Sequence, residues 1–168
     1  RRLLSPCLAG LLTAFMETSE PSSALARFDR FIKELPAGVQ VFSLFQSNPA
    51  LFQLIARIMG LAPALAEQLA KRPTLFEAFL DPSFFESLPS TEDMMQELEY
   101  ALKPAKDYQD ILDITRRYVS ERRFQVGVQV LESLSSTIEA GEAMTRLADA
   151  TLKILTPAVE NDFARRHG

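Results

Sequence analysis

Four prolines stand at the heads of short apolar segments between Asn48 and Leu88, and they constrain the fold more than any other feature. Proline suits the first position of a helix, because its missing N–H would have no partner there and its φ is already near the helical value. Asn48 and Asp81 precede two of the prolines and are good N-caps. The stretch therefore predicts a ladder of four short helices, beginning at Pro49, Pro63, Pro73 and Pro82.

The first segment of the ladder is apolar on nearly every side. Between Leu51 and Met59 only Gln53 and Arg57 are polar. A helix that is hydrophobic all round is normally buried. We expect this helix to form the centre of the core.

The chain before the ladder is also predicted to be helical. Leu3 to Thr18 favours a first helix, and a strongly amphipathic helix should follow, with Leu25, Phe28, Phe31, Ile32 and Leu35 on one face. Residues 39–45 have the β-branched and aromatic content of a strand. Because no partner strand occurs elsewhere in the sequence, we predict a helix there as well.

Two long periodic segments follow the ladder. Ser90 and Asp93 form a capping box at the start of a helix that should end near Pro104. The longest segment then runs from about residue 106 to 133, and a last helix follows Thr137, with Pro157 expected to kink it. A short polar connection joins the two, so they should form an antiparallel hairpin. The prediction is an all-α fold and a single helical domain, residues 1–168.

Composition narrows the classes of function. The 168 residues carry a formal net charge of −4, which argues against nucleic acid as the main partner. The lone cysteine, Cys7, cannot form an internal disulfide, and this fits a cytoplasmic protein. Residues 35–56 lack charge, but prolines and a glycine interrupt them, so we predict no membrane span. The amino terminus is interpreted as an internal helix of a longer protein rather than a signal peptide.

The residues of catalytic chemistry are nearly absent from the sequence. His167 is the only histidine, which excludes Ser-His-Asp and Cys-His schemes and zinc sites that need two histidines. The six glycines are scattered and form no phosphate-binding loop. Asp107, Asp110 and Asp113 could be imagined around a metal, but carboxylates in the first turns of a helix favour its dipole, and a solvated face is the better interpretation. We therefore predict no catalytic, cofactor-binding or metal residue in this chain.

One charged cluster and one apolar row in the longest helix are candidates for a partner or interdomain surface. Four arginines surround a single acid, Glu121, which gives a local charge of +3. A solvated face with intrahelical pairs and an anion-binding or partner surface are both open interpretations. The apolar row makes a second stripe on the same helix, which should be covered from two sides. The candidate residues are Arg116, Arg117, Arg122, Arg123, Phe124, Val128 and Leu131.

Several ordered pieces of the sequence resemble one enzyme family. They are ALARFDRF (24–31), LPAGVQVFSL (35–44), SNPAL (47–51), AP (62–63), RP (72–73), LDP (80–82), FQVGV (124–128) and ENDFARRHG (160–168). Together they are similar to glutamine synthetase adenylyltransferases, which both transfer and remove adenylyl groups. The resemblance covers nearly the whole chain, although no single piece is a catalytic signature.

The resemblance implies a noncatalytic section of a larger enzyme. Members of the family resemble two fused copies of a helical section followed by a nucleotidyltransferase core, and this chain looks like the helical section before the second core. In such cores a Gly-Ser turn and an Asp-x-Asp pair bind ATP phosphates and Mg²⁺, and neither motif occurs in this sequence. The implied parent transfers AMP to a tyrosine of glutamine synthetase and responds to glutamine and PII signal proteins. The implied role of this section is to pack against the core and help place those partners.

A helical protein-interaction scaffold without enzyme activity is the alternative. The proline-headed segments favour it superficially. Their starts are 14, 10 and 9 residues apart, however, whereas helical repeats keep a fixed period of roughly 20–50 residues.

Overall fold

The computed structural model describes residues 10, 12–16, 18, 20–35 and 38–167. Within these ranges the chain forms α-helices and one short 3₁₀ helix and no strand, which confirms the all-α prediction. The chain divides into two compact units, Arg1–Phe84 and Phe85–Gly168. That these units form a single domain stays a prediction.

The first unit contains five helices with assigned bounds, α1 (Pro21–Glu34), α2 (Gly38–Ser47), α3 (Pro49–Leu61), α4 (Pro63–Lys71) and α5 (Leu75–Ala78), among the described residues. Helix α2 confirms that residues 39–45 are helical. Of the predicted first helix, residues 10 and 12–16 are helical, and the others apart from Thr18, which lies in a bend, fall outside the described residues.

Helix α3 lies at the centre of the first unit, as predicted. Ile55, Ile58 and Met59 are all 0% exposed. The side-chain oxygen of Asn48 accepts a hydrogen bond from the backbone N–H of Leu51 at 3.1 Å, so the predicted N-cap is present. The Arg27 Nε donates to the carbonyl oxygen of Met59 at 2.8 Å, which fastens α1 to the end of α3.

Aromatic rings connect the helices of this unit. Successive ring centroids lie 5.1–6.4 Å apart, and each of these pairs is tilted or edge-to-face. The buried face of α1 is narrower than predicted: Ala24, Phe28 and Phe31 are buried, whereas Leu25 is 47% exposed. The connected rings are those of Phe15, Phe28, Phe31, Phe45, Phe52, Phe76, Phe79 and Phe84.

The ladder prediction is correct for three prolines, one of which begins a 3₁₀ helix rather than an α-helix, and it is wrong for Pro73. Pro49 and Pro63 begin α3 and α4. After Pro73 the chain first makes a turn, in which the N–H of Leu75 bonds to the carbonyl of Arg72 at 3.0 Å, so the four-residue α5 begins only at Leu75. Pro82 begins a short helix as predicted, the 3₁₀ helix Pro82–Phe85, and Asp81 caps it by accepting a hydrogen bond from the N–H of Ser83 at 2.9 Å.

The second unit is built from α6 (Thr91–Leu102), α7 (Tyr108–Leu131) and α8 (Thr137–His167). The Ser90 hydroxyl accepts a hydrogen bond from the N–H of Asp93 at 3.1 Å, as predicted. The Asp93 carboxylate in turn accepts a hydrogen bond from the Ser90 hydroxyl at 2.8 Å. All three helices pack on one another. Their shared core is Leu88, Met94, Val126, Ala143, Leu147 and Ala150.

Helices α7 and α8 pack together across the connection 132–136, as the predicted hairpin requires. Ser133 turns the chain with φ of 58°. A capping box starts α8, in which the N–H of Ser136 donates to Glu139 at 2.8 Å and the N–H of Glu139 donates to the Ser136 hydroxyl at 3.2 Å. Pro157 lies inside α8, which continues to His167, and a kink there stays a prediction.

Within the described ranges, no helix by itself has the length and apolar content that crossing a membrane requires. Helices α3 and α4 meet those criteria only as a pair, and they are bent by 115° at their junction.

Candidate functional site

The four candidate arginines of α7 do not converge on one point. Arg116 and Arg123 are two helical turns apart and therefore lie on one side of the helix, whereas Arg122 is rotated from Arg116 by about 120°. Arg116, Arg117 and Arg123 are exposed, and Arg122 is partly buried. The sequence cluster therefore separates into an exposed part and one inward arginine.

Arg122 joins α7 to α6 through Glu97. Its guanidinium donates to the Glu97 carboxylate at 2.5 Å and to the side-chain oxygen of Gln125 at 2.9 Å. The Tyr118 hydroxyl donates to the same Glu97 oxygen at 2.7 Å. The guanidinium carbon also lies 5.3 Å from the centre of the Tyr118 ring, within cation–π range. One carboxylate thus holds two side chains from the neighbouring helix.

The network has clear electrostatic consequences. Burial, followed by the hydrogen bond to Glu97, raises the pKa of Tyr118 to about 12. Burial also works against the charge of Arg122, but Tyr118 and Glu97 outweigh it and hold the pKa of Arg122 above its ordinary value. The phenol is therefore neutral and the guanidinium charged over the whole physiological range. This is a structural clamp between helices rather than an acid–base pair.

The exposed arginines fit both interpretations left open by the sequence. Arg116 pairs with Asp113 at 2.7 Å, and their side chains are 68% and 51% exposed. Arg117 and Arg123 form no ion pair with any described residue. Arg116 thus belongs to a solvated intrahelical ion pair, whereas Arg117 and Arg123 leave positive charge at the surface. Their binding of a partner stays a prediction.

The apolar candidates of α7 lie mostly inside the chain. Phe124 and Val128 are each 0% exposed, and Leu131 is partly buried. Val126, on another side of the same helix, belongs to the core of the second unit. The later turns of α7 are therefore covered from two sides, as expected, but Phe124 and Val128 reach no solvent. Their assignment to an interdomain surface stays a prediction.

A polar cavity of about 480 Å³ lies in the second unit, between the segment 85–90 and the first half of α8. Gln129, 5% exposed, lines it and donates to the carbonyl of Glu86 at 2.6 Å. The Nε of Arg146 is buried without a hydrogen-bond partner among the described residues, and Glu139 and Glu142 line the same wall. Hydrogen bonds from the backbone and then the hydroxyl of Ser136 lower the pKa of Glu139. The cavity offers both signs of charge, and the Ser90 hydroxyl in its lining is occupied in capping α6.

This cavity could not be predicted from the sequence. Gln129 and Arg146 are isolated polar residues in long helices, and only the packing of α8 beside the segment 85–90 brings them together. The three aspartates have capping and pairing roles instead: Asp107 accepts from the N–H of Asp110 at 2.8 Å, and Asp110 accepts from the N–H of Lys106 at 2.9 Å. Among the described residues no three His, Cys, Asp or Glu side chains are grouped as metal ligands would be.

By its fold the chain is an all-α protein made of short helices and a long helical pair. A family model described as glutamate-ammonia ligase adenylyltransferase matches residues 52–168. Curated proteins named bifunctional glutamine synthetase adenylyltransferase/adenylyl-removing enzyme are 42% identical in Mesorhizobium japonicum and 39% identical in Bartonella henselae and Agrobacterium fabrum, each over 100% of this chain. The chain belongs to the glutamate-ammonia ligase adenylyltransferase family, which confirms the resemblance. It spans 17% of the length of these relatives.

Proposed function

We propose that this chain is a noncatalytic helical section of a glutamine synthetase adenylyltransferase. Its full polypeptide would transfer AMP from ATP to a tyrosine of glutamine synthetase and also remove it, in the control of nitrogen assimilation in the cytoplasm. The observation that carries the proposal is the 42% identity, over all 168 residues, to a relative whose name states both activities.

The chemistry is assigned to a nucleotidyltransferase core elsewhere in the polypeptide. This sequence contains neither a Gly-Ser pair nor an Asp-x-Asp motif. Among the described residues no three acidic, histidine or cysteine side chains are grouped, and the sequence offers no Asp-x-Asp pair to hold Mg²⁺ beside ATP phosphates. We derive no catalytic step through residues of this section, and assign ATP and Mg²⁺ to the core.

The section itself contributes a positively charged surface on α7. Arg117 and Arg123 present positive charge without a partner among the described residues, and arginine's planar fork suits carboxylates and phosphates. We assign these two arginines to the recognition of an acidic surface, on glutamine synthetase or on a PII protein. The clamp of Arg122, Tyr118 and Glu97 keeps α7 fixed on α6, so that the exposed arginines are presented from a rigid helix.

Transfer of labelled AMP tests the proposed function. The protein encoded by the complete source gene is incubated with ATP labelled at the α-phosphate and with glutamine synthetase, in parallel with the 168-residue section. We expect the full protein to label glutamine synthetase, and to lose that labelling when the acceptor tyrosine is changed to phenylalanine. The section alone should give no label. A full protein that transfers no AMP would contradict the proposal, and a label produced by the section alone would contradict its noncatalytic role.

Charge reversal tests the arginine surface. In the full protein, Arg117→Glu with Arg123→Glu should slow association with glutamine synthetase or PII several-fold and weaken its salt dependence, because rim charges act mainly on the association rate. Arg30→Glu, at an exposed arginine of α1, is the matched control for each of the two single variants, because all three substitutions change the charge by the same amount. Single variants that associate as fast as the control, with both partners, would remove the arginines from the interface.

A further inference from the structure

Helix α8 has two uncharged faces, and only one of them is packed. The packed face carries Ala143, Leu147 and Ala150, which are at most 6% exposed. Leu152 is rotated from Ala150 by about 160°, so it points away from that core. An uncharged row of exposed residues follows this outer face in steps of three or four residues. This outer stripe consists of Ile138, Gly141, Thr145, Ala148, Leu152, Thr156, Val159 and Phe163.

The outer stripe is too apolar and too regular for an ordinary solvated face. Ile138 is 75% exposed, Leu152 and Phe163 are 63% exposed, and Val159 is 45% exposed. From residue 138 to residue 163 the stripe runs for roughly 38 Å at 1.5 Å per residue. Alternating three- and four-residue steps are the spacing of helices that pack against a partner along their length.

The two threonines of the stripe have hydroxyl groups that are already hydrogen-bonded within α8. The Thr145 hydroxyl donates to the carbonyl of Gly141 at 3.0 Å, and the Thr156 hydroxyl donates to the carbonyl of Leu152 at 2.8 Å. A buried hydroxyl is costly only when it lacks a hydrogen bond. Because both hydroxyls are already bonded to their own helix, covering them leaves no unpaired polar group.

Gly141 adds an independent observation. A Cβ at this position would meet nothing within 4 Å, so packing within the described residues does not require glycine. Glycine inside a helix nevertheless costs about 1 kcal/mol relative to alanine. The missing side chain leaves a notch at the amino-terminal end of the stripe, where another backbone can approach α8 closely.

We propose that the outer stripe of α8 is the surface on which the second nucleotidyltransferase core, the one that follows this section in the same polypeptide, packs, an inference that rests on the proposed function. The chain spans 17% of the length of its relatives, so most of the polypeptide that could cover the stripe lies outside these residues. A tethered partner acts at an effective concentration on the order of millimolar. A second copy of the section would have to compete against that concentration, and the core of the same chain is therefore the favoured occupant.

Site-resolved cysteine labelling tests this inference in the full protein. Leu152→Cys and Phe163→Cys place thiols on the stripe, and Leu25→Cys is the matched control on an exposed, apolar position of α1. Each variant is first checked for the wild-type helical circular dichroism spectrum. A maleimide reagent is then added, and modification of each introduced thiol is followed by peptide mass spectrometry. We expect the two stripe thiols to react at least about tenfold more slowly than the control, since a packed face reacts only through local opening.

The outcomes separate the inference from the proposed function. Slow labelling that is independent of protein concentration, in a protein that transfers AMP, supports both. Stripe thiols that react as fast as the control, in a protein that transfers AMP, overturn the inference alone. Protection that disappears on dilution identifies a second copy as the occupant and overturns the inference in the same way. A protein that transfers no AMP overturns the proposed function, and with it the assignment of the core as occupant.

Discussion

Replacing Glu97 with alanine removes the acceptor that holds two side chains of α7. The Tyr118 hydroxyl and the Arg122 guanidinium both donate to its carboxylate, at 2.7 and 2.5 Å. Hydrogen bonds to charged groups contribute about 1.5–3 kcal/mol each when they are shielded from water. The side chains of Arg122 and Glu97 are 25% and 38% exposed, so solvent screens part of that energy. We expect Glu97→Ala to lower the free energy of unfolding by about 2 kcal/mol for the two bonds together.

Thermal unfolding followed by circular dichroism measures this loss. For a chain of this size, about 2 kcal/mol corresponds to a Tm lower by roughly 4–8 °C. Asp113→Ala is the matched control, because it removes the ion pair with Arg116 within α7. The side chains of Arg116 and Asp113 are 68% and 51% exposed. Exposed pairs contribute at most about 1 kcal/mol, so the control should shift Tm by only a few degrees.

The reasoning fails if Glu97→Ala and Asp113→Ala lower Tm equally. A double-mutant cycle between Glu97→Ala and Arg122→Ala gives a second criterion. Residues in one hydrogen-bonded network are coupled by about 0.5–3 kcal/mol, and a coupling energy of zero would show that the contact between α6 and α7 does not depend on this pair.

Three further predictions concern the second unit. Because the folded state raises the pKa of Tyr118 from 10.0 to about 12, the stability that its neutral phenol supplies is complete below pH 10 and is lost as the pH rises towards 12. Unfolding of Tyr118→Phe should therefore show a shallower loss of stability than wild type in that window, and parallel curves would contradict the shift. Gly141→Ala should raise the stability of the section by up to about 1 kcal/mol in denaturant unfolding, because the new methyl meets nothing, and a destabilised variant would show that the notch is already filled. Leu147→Ala should cost about 2–5 kcal/mol, since Leu147 is 1% exposed. Leu152→Ala, on the same helix, should stay within about 0.5 kcal/mol in the isolated section, and equal losses would contradict the assignment of the two faces of α8.

Local rules predicted much of the fold because they act between neighbours in the sequence. The proline at Pro49, the cap at Asn48 and the capping residue Ser90 each need only the next few residues, and the structure confirms all three. Residues 39–45, which lie in α2, were predicted to be helical because no possible partner strand occurs elsewhere in the sequence. The same rules failed at Pro73, where the chain makes a turn before the four-residue α5. At Pro82 they predicted the helix start but not its 3₁₀ form.

The candidate site was less predictable because it depends on contacts between distant residues. Arg122 looked like its three neighbours in the sequence, but Glu97, on another helix, draws it inward. The cavity beside Gln129 and Arg146 likewise exists only after α8 packs near the segment 85–90. In α8 the sequence showed the apolar periodicity, yet it could not say which of two apolar faces the second unit would use.

The connected phenylalanine rings of the first unit have a consequence for how this protein can change during evolution. The Phe76 ring lies within 6.3 Å of the rings of Phe31, Phe45 and Phe79, measured between centroids. Edge-to-face packing depends on the shape of both partners, so a replacement at one ring changes which residues the next position can accept. Substitutions in this unit should therefore be tolerated in compensating sets, and a pairwise mutational scan should show epistasis that follows the order of ring contacts rather than the order of the sequence.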